Sequence, residues 1–558
     1  MAFSAPPPDV DVLVVGAGIT GIYQLHRARE AGFSALLLEA GQGVGGTWYW
    51  NRYPGARFDS ESYTYGYLFS EELFRDWEWS EHFAAQPETE RYLNHVVDRF
   101  DLRRSMRFGA AVTSAVWDDA SSCWVVTTRS GVIERASAPA DDARSVVRGR
   151  YLVCATGVLS VPYIPDVPGR DAFEGVQVHT GRWPADGVDV VGQRVAVVGT
   201  SSSGVQVVPA IVDEVAALTV YQRSANWCTP LNNRPITAEE QAELRAGFAE
   251  LKRVLDTSVH GFHHPLNPRS AFEDSAEERR AFFERMWASP GFMKFTSNYV
   301  DILSNPQANA EWCAFIAQQI RSVVRDPEVA ERLIPTDHRY GEKRPPYVAG
   351  YFEAFNRPHV ELVDLKATPM AGVTATGIAT TERHRDHDVI VWATGFDFGT
   401  GAMLRMGIVG RDGEALTDHW AEGPTTFLGL ATAGFPNLFF PGGPHAAAGN
   451  NPRYNGDQVD FVTEVLVEAR ERAGAVVEPT PEAEERWSAM VDRAATETPF
   501  GTIGQYVGGN IPGKPRRYLL NAGGRPKLHK ELQRVRDTGY AALGLSPVAV
   551  RGTAAGTP

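Results

Sequence analysis

Asp9–Gly41 reads DVDVLVVGAGITGIYQLHRAREAGFSALLLEAG. The apolar run Val12–Val15 predicts a buried strand, and Gly16-x-Gly18-x-x-Gly21 predicts the turn that leads it into a helix. A second apolar strand follows and ends at Glu39. Each residue has a physical task. Gly16 permits the tight turn, Gly18 lets a pyrophosphate approach the backbone, and Gly21 lets helix and strand pack closely. The helix start offers unpaired N–H groups and the positive end of the dipole to phosphates, while Glu39 suits a ribose diol. The glycines alone would mark only a loop; with strand, helix, strand and acid in register they predict a dinucleotide site.

Gln193–Ser224, QRVAVVGTSSSGVQVVPAIVDEVAALTVYQRS, repeats the plan with Gly199-x-Ser201-x-x-Gly204 after the strand Val195–Val198. Ser201 stands in the place of the middle glycine, a departure that small size tolerates. The second strand ends in Gln222-Arg223, with a guanidinium where the first unit has Glu39. A guanidinium suits a 2′-phosphate as a carboxylate suits a diol. The first unit therefore reads as an FAD site and the second as an NADP(H) site, the alternative for Arg223 being a solvated surface residue.

Each unit is closed by a buried-looking strand ending in Ala-Thr-Gly, YLVCATGVLSVP (Tyr151–Pro162) and DVIVWATGFD (Asp388–Asp397), which suggests an internal duplication. The interval to that strand is longer in the second unit, so an insertion is expected there. TAEEQAELRAGFAELKRVLD carries a capping box, Thr237 to Glu240, with Leu244, Phe248, Leu251 and Leu255 at helical spacing. EERRAFFERMW and EWCAFIAQQIRSVV continue the helical pattern. FPNLFFPGGPHAAAGNN then predicts a strand and loop, and a helix from about Gly456 returns to the first domain. The expected fold is α/β: two Rossmann-like dinucleotide-binding domains, FAD and NADP, with an inserted helical subdomain. The expected division is 1–160 FAD-binding, 161–192 linker, 193–230 NADP-binding, 231–330 helical insertion capping the active site or simply packing, 331–387 NADP-binding, 388–545 FAD-binding and 546–558 a flexible tail.

Bulk properties narrow the classes. A net charge of −14 disfavours nucleic acid and anionic membrane as partners. The four cysteines, Cys123, Cys154, Cys228 and Cys313, form no CxxC and no cluster with histidine, which points to a reducing cytoplasmic setting, no structural metal and no disulfide-reductase chemistry. MAFSAPPPDV lacks the pattern of a secretory leader, and no apolar run reaches membrane-spanning length.

FEGVQVHTGRWP (Phe173–Pro184) lies between the two units and has no evident periodicity. Phe173-x-Gly175-x-x-x-His179-x-x-x-Trp183-Pro184 resembles the fingerprint of the type I Baeyer–Villiger monooxygenases, whose nitrogen- and sulfur-oxygenating relatives carry Phe or Tyr at the Trp183 position. GGTWYWNRYPGARFDSESYTYGY (Gly45–Tyr67) and GNIPGKPRRYLLNAGG (Gly509–Gly524) are similar to that family as well, and the resemblance covers nearly the whole chain.

The resemblance implies an NADPH- and O2-dependent reaction in which reduced FAD forms a C4a-peroxyflavin that attacks a ketone, and the anionic tetrahedral adduct rearranges to an ester or lactone. It implies that Arg344, in YGEKRPPYVAGYFEAFN, faces the flavin, that Asp59 pairs with it, and that Lys343 approaches the NADP phosphate. Both anions call for a cation that does not titrate, which favours arginine. His179 and Trp183 are implied to couple domain motion to the flavin rather than to touch substrate. Trp48, Arg57 and Tyr65 match residues lining the cleft, Gln222 and Arg223 the ribose-phosphate site, and Trp392 a position near the nicotinamide-binding strand. Thr20, Gly46, Thr47 and Val112 join the expected FAD contacts, and Thr200, Ser202 and Ser203 those of NADP(H). Gln505 departs from the family, which places a cofactor-touching tryptophan there. The expected partners are a ketone and O2, and the chain is expected as a monomer or homodimer.

Three other readings stay open on the residues: a heteroatom-oxygenating flavin monooxygenase, an NADPH-dependent electron-transfer reductase, and a non-catalytic NADPH sensor. Trp183 and the Lys343-Arg344 pair disfavour the first, and a reductase would have no use for Asp59 with Arg344.

Overall fold

The computed structural model describes residues 7–130, 144–446, 449–497 and 501–545; the tail expected at 546–558 lies outside them. In chain order the first strands are β1 (Val10–Val15), β2 (Ala35–Leu38), β3 (Met106–Arg107), β4 (Ala111–Asp118), β5 (Cys123–Arg129) and β6 (Arg144–Cys154). There follow β7 (Val176–His179), β8 (Arg194–Val198), β9 (Ala217–Gln222) and β10 (Val360–Asp364). A small antiparallel trio, β11 (Met370–Val373), β12 (Gly377–Thr380) and β13 (His384–Asp386), precedes β14 (Val389–Trp392), β15 (Ile408–Val409) and β16 (Leu438–Phe439).

The first sheet runs β15-β4-β5-β6-β1-β2-β3, with β16 paired to β6. Its nucleotide-binding strands are parallel: β1 lies between β2 and β6. The helix Ile19–Glu30 and the returning helix Asn451–Glu471 cover one face, joined where the Tyr23 hydroxyl donates to Asp460 at 2.8 Å. The return expected from about Gly456 thus starts earlier, at Asn451, with Pro452 in its first turn, where a missing N–H costs nothing.

The second sheet is parallel throughout, ordered β10-β9-β8-β14-β7. This corrects two expected boundaries. β14 was assigned to the returning first domain at 388, yet it pairs β8 on one side and β7 on the other. All four of its residues are buried, and a strand apolar on both faces needs neighbours on both edges and layers above and below. The chain crosses back only after Trp392. The linker expected at 161–192 likewise contains β7, the edge strand of the second sheet.

That edge strand accounts for the fingerprint. Phe173 packs with Trp392 and Ala196 on one side of the sheet, and Trp183 packs with Val178 and Val205 on the other. A Cβ on Gly175 would meet the Asp388 carbonyl oxygen at 2.4 Å, so only glycine admits the strand so close. His179 pairs in register with Trp392. The motif is the fitting of one strand into a sheet.

The insertion is helical, as expected, but divided. Thr237 and Glu240 form the reciprocal capping box, and Gly247 then separates Ala238–Ala246 from Phe248–Thr257. Phe248 and Leu255 pack on Leu68 of the first domain. The helices Ala276–Ala288 and Pro306–Val323 instead bury Phe283, Trp312 and Ile316 in the core of the second domain. Among the described residues no helix is long and apolar enough to cross a membrane.

Candidate active site

The two glycine turns are built alike. Gly16 (φ +104°) and Gly199 (φ +111°) are both left-handed, and a Cβ on them would meet the carbonyl oxygens of Ala155 and Ala393 at 2.6 and 2.5 Å. A Cβ on Gly21 or Gly204 would lie 1.8 or 2.0 Å from the carbonyl oxygen of Gly16 or Gly199. The duplication read from the two Ala-Thr-Gly segments is thus repeated in backbone geometry. The middle positions differ. Gly18 (φ −80°, ψ −177°) and Ser201 (φ −90°, ψ −171°) share an extended conformation open to any residue, and a Cβ on Gly18 would meet only Gly46 Cα, at 3.5 Å. Glycine at 18 therefore answers no demand of the fold; it leaves room in front of the turn.

Both helix starts face one cavity of about 860 Å3. Neither the helix Ile19–Glu30 nor Ser202–Ile211 carries a side-chain cap or an acidic residue in its first turn, so the N–H groups there remain for a ligand. Gly16, Gly18, Thr20, Glu39, Gly46, Thr47, Trp48, Arg57, Asp59, Tyr65 and Val112 line the cavity from the first domain, with Ser201, Ser202 and Ser203 from the second. Gly46 (φ +55°) turns the chain against Gly18, where a Cβ would come within 2.7 Å of Gly18 Cα. Glu39 is tied down: its two oxygens accept the Ala17 and Gly41 N–H groups, each at 2.7 Å. Burial pushes its pKa up, against those two bonds. Trp48 donates to the Tyr65 hydroxyl at 3.0 Å, and Tyr65 stacks on Phe58. A cradle at Gly18 that leaves room before the turn, uncapped helix ends and a fixed acid at Glu39 fit a bound FAD.

Arg344 crosses from the second domain to reach Asp59. Its two terminal nitrogens donate to the two carboxylate oxygens at 2.8 and 2.6 Å, a bidentate fork. Phe292 of the insertion sits 5.8 Å from the guanidinium and donates its N–H to the Asp59 carbonyl oxygen at 3.1 Å. Burial works against the charge of Arg344, but Asp59 outweighs it and holds the pKa above its usual value. Its side chain keeps 35% of its surface, on the cavity it lines. This is a permanent cation suspended between the two nucleotide units, with apolar Phe262 and Phe292 beside it.

The remaining expected residues lie elsewhere. Arg223 is exposed at the end of β9. Next to it Ser224 donates to Asp337 at 2.8 Å and accepts from Lys343 at 2.7 Å, while Thr200 donates to the Ser224 carbonyl oxygen at 2.8 Å. Lys366 donates to Asp337 at 2.7 Å, a cation that no motif singled out. Burial lowers the Lys343 pKa, partly offset by Asp337. Two expected cofactor contacts are buried. Trp392 is 1% exposed, in the core beside Ala196, and its indole donates to Gln177 at 3.1 Å. Gln222, 4% exposed, donates to the Arg332 carbonyl oxygen at 2.6 Å. Neither lines the cavity. His179, buried, accepts from the Gly181 N–H at 2.9 Å, stacks edge-on with Phe396, and is pushed down to about 4 by burial; neither it nor Trp183 lines the cavity.

Sequence reasoning missed several cavity residues: Tyr53, whose hydroxyl donates to Gln206 at 2.7 Å, and Tyr347, Tyr506 and Arg182. Tyr53, Tyr347 and Arg182 lie in quoted stretches and Tyr506 next to Gln505, but no spacing rule separates a core tyrosine from a wall tyrosine. Gln505 does reach the cavity, near Gly395.

Residues 13–264 match the family described as pyridine nucleotide-disulphide oxidoreductase, although all four cysteines here are free. The chain is 40% identical to 2-oxo-Δ3-4,5,5-trimethylcyclopentenylacetyl-CoA monooxygenase of Pseudomonas putida, covering 97% of this chain and 99% of that one. It is 39% identical to a phenazine N-monooxygenase of Lysobacter antibioticus (95% and 96% covered) and 36% identical to a Baeyer–Villiger monooxygenase of Pseudooceanicola batsensis (96% of each). The crystal structure of OTEMO in complex with FAD and NADP superposes with a TM-score of 0.90 at 39% identity, over 96% of this chain and 99% of that one. With two glycine turns opening on one cavity and full-length relatives of this kind, the chain belongs to the Baeyer–Villiger monooxygenase family.

Proposed function

We propose that the protein is an NADPH- and O2-dependent flavin monooxygenase that inserts one oxygen atom beside a ketone carbonyl, giving an ester or lactone. The observation that carries this reading is the Arg344–Asp59 fork, a fixed cation facing a cavity bounded by both nucleotide turns. Bound FAD supplies acceptance of hydride from NADPH and activation of O2. The protein's own part is to hold, orient and stabilise.

Gly18, Gly46 and the start of the helix Ile19–Glu30 would hold the diphosphate of FAD, and Glu39 would face its ribose. NADPH enters at the start of the helix Ser202–Ile211, its 2′-phosphate met by Arg223, Lys343 and Lys366. As the carbonyl carbon is attacked its oxygen becomes anionic, and Arg344 offers N–H groups and charge at that point without losing a proton. Asp59 keeps the guanidinium aimed. Phe262 and Phe292 make a dry wall for the carbon skeleton of the ketone. A cytoplasmic setting belongs to the same reading, supported by four free cysteines.

The test is anaerobic reduction by NADPH followed by oxygen and a ketone panel, with product identification. Ester or lactone formation is expected. The phenazine N-monooxygenase relative makes an aromatic N-heterocycle and a sulfide the necessary controls: oxidation of these with no ketone turned over would replace this reading by heteroatom oxygenation.

A further inference from the structure

Four arginines line the cavity: Arg57, Arg182, Arg344 and Arg405. Three have carboxylate partners, Glu81 at 2.9 Å, Asp59 at 2.6 Å and Asp397 at 2.7 Å respectively. Among the described residues Arg182 has none. Its guanidinium donates only to carbonyl oxygens, those of Ser160 at 2.8 Å and Gly181 at 2.6 Å, and lies 4.4 Å from the Trp50 ring. Glu39 is near enough to favour its charge, but both Glu39 oxygens are already taken by backbone N–H groups. Burial pulls the Arg182 pKa down to about 10, by more than the nearby Glu39 carboxylate offsets. A half-buried guanidinium with donors to spare and, among the described residues, no carboxylate within ion-pair distance is placed to meet an anion that a ligand supplies.

The position of Arg182 says which ligand. Ser160 follows β6, Trp50 ends the short helix Thr47–Trp50 that starts at Gly46, and Glu39 ends β2. All three belong to the first domain and line the cavity, Glu39 being the acid read for the ribose. Arg182 itself comes from the turn Thr180–Arg182 directly after β7, a strand of the second sheet.

We propose that Arg182 is a cationic ligand of the adenosine diphosphate half of FAD, delivered to the first domain by the second, so that the second sheet helps to retain the flavin. This rests on the reading of the first site as an FAD site. It also gives the fingerprint a physical use: the strand is clamped to its sheet by Phe173, Gly175 and Trp183, and its end touches the other domain's cofactor.

The test is the rate of FAD release from the holoenzyme, followed by the rise of flavin fluorescence on dilution, with and without saturating NADP+. Arg182→Gln keeps the stem over Trp50 and an amide able to donate to Ser160. It should release FAD about tenfold faster or more, the scale of one charge-assisted bond, and Arg182→Lys should fall between it and the unaltered protein. NADP+ should slow release from the unaltered protein and lose that effect in Arg182→Gln. Equal rates for all three proteins, or for Lys and Gln, overturn the inference. Should Arg182→Gln not fold, Arg182→Lys still decides it, since release at the unaltered rate means that the fork is not a ligand. Purified protein that carries no flavin and takes none up fails the FAD reading itself, and the inference with it.

Discussion

The turns at Gly16–Gly21 and Gly199–Gly204 overlap in nearly every backbone requirement, yet the strands that follow them end in opposite ways. Glu39 is 5% exposed and both its oxygens are consumed by the fold. Arg223 is exposed, beside a group assembled from separate segments: Ser224 after β9, Asp337 and Lys343 from the chain beyond the insertion, and Lys366 after β10. The first site is finished by the domain that contains it. The second strand end is open, and Asp337 there accepts from Lys366 at 2.7 Å and lies 3.9 Å from Lys343, holding both cations. Burial opposes the charge of Asp337, but bonds from Lys366, His338 and Ser224 outweigh this and keep its pKa below the usual carboxylate range. A site meant to keep its ligand and one meant to exchange it can share a turn and differ in what surrounds the strand end.

The largest effect is expected where the two units meet. Arg344→Ala should lower ester formation by about 10²–10³ while FAD stays bound and NADPH is still consumed; product analysis against NADPH oxidation checks this, and ester formation near the unaltered rate would sink the assignment. Paired substitutions at the third glycines come next. Gly21→Ala and Gly204→Ala force a Cβ onto a backbone oxygen, and overpacking of this kind costs on the order of 3 kcal/mol. Gly21→Ala should yield protein without flavin, whereas Gly204→Ala should keep the flavin and lose reduction by NADPH. If both lose flavin alike, the sites are not separable.

Arg223→Ala should cost about tenfold or more in kcat/KM for NADPH and little for NADH, with Lys366→Ala acting in the same direction more weakly because its charge is shared with Asp337. Equal losses with both nucleotides would show that the cluster does not read the phosphate. The smallest effects belong to the middle positions. Ser201→Gly and Gly18→Ser should each change the stability of flavin-free protein by no more than about 0.5 kcal/mol, since both backbones are extended; thermal melts check this. Gly18→Ser should nonetheless weaken FAD binding by filling the space before the turn, and unchanged affinity would mean that the diphosphate lies elsewhere.

Local signals were the legible ones. The glycine turns, the capping box at Thr237, and the apolar strands are set by φ requirements, unpaired N–H groups and periodicity within a few residues, and each is visible in the chain. The Arg344–Asp59 pair, 285 positions apart, was found through motif likeness, because no local pattern joins residues so distant. Resemblance could not give burial: Trp392 and Gln222 lie on the expected strands and are 1% and 4% exposed.

The sequence by itself determined that there are two dinucleotide units, where their turns fall, and which strand end is acidic and which basic. The Ala-Thr-Gly repeat ties β14 to the second unit while the boundary drawn at 388 sets it in the first domain, and only its pairing with β8 and β7 decides between the two. Nor could the sequence identify Arg182: among the described residues no carboxylate pairs with it, and the fold sets it in the cavity beside Trp50 and Ser160 of the other domain. Local conformation follows from the covalent chain, whereas pairing and the balance of buried charge follow from which distant segments the fold brings together.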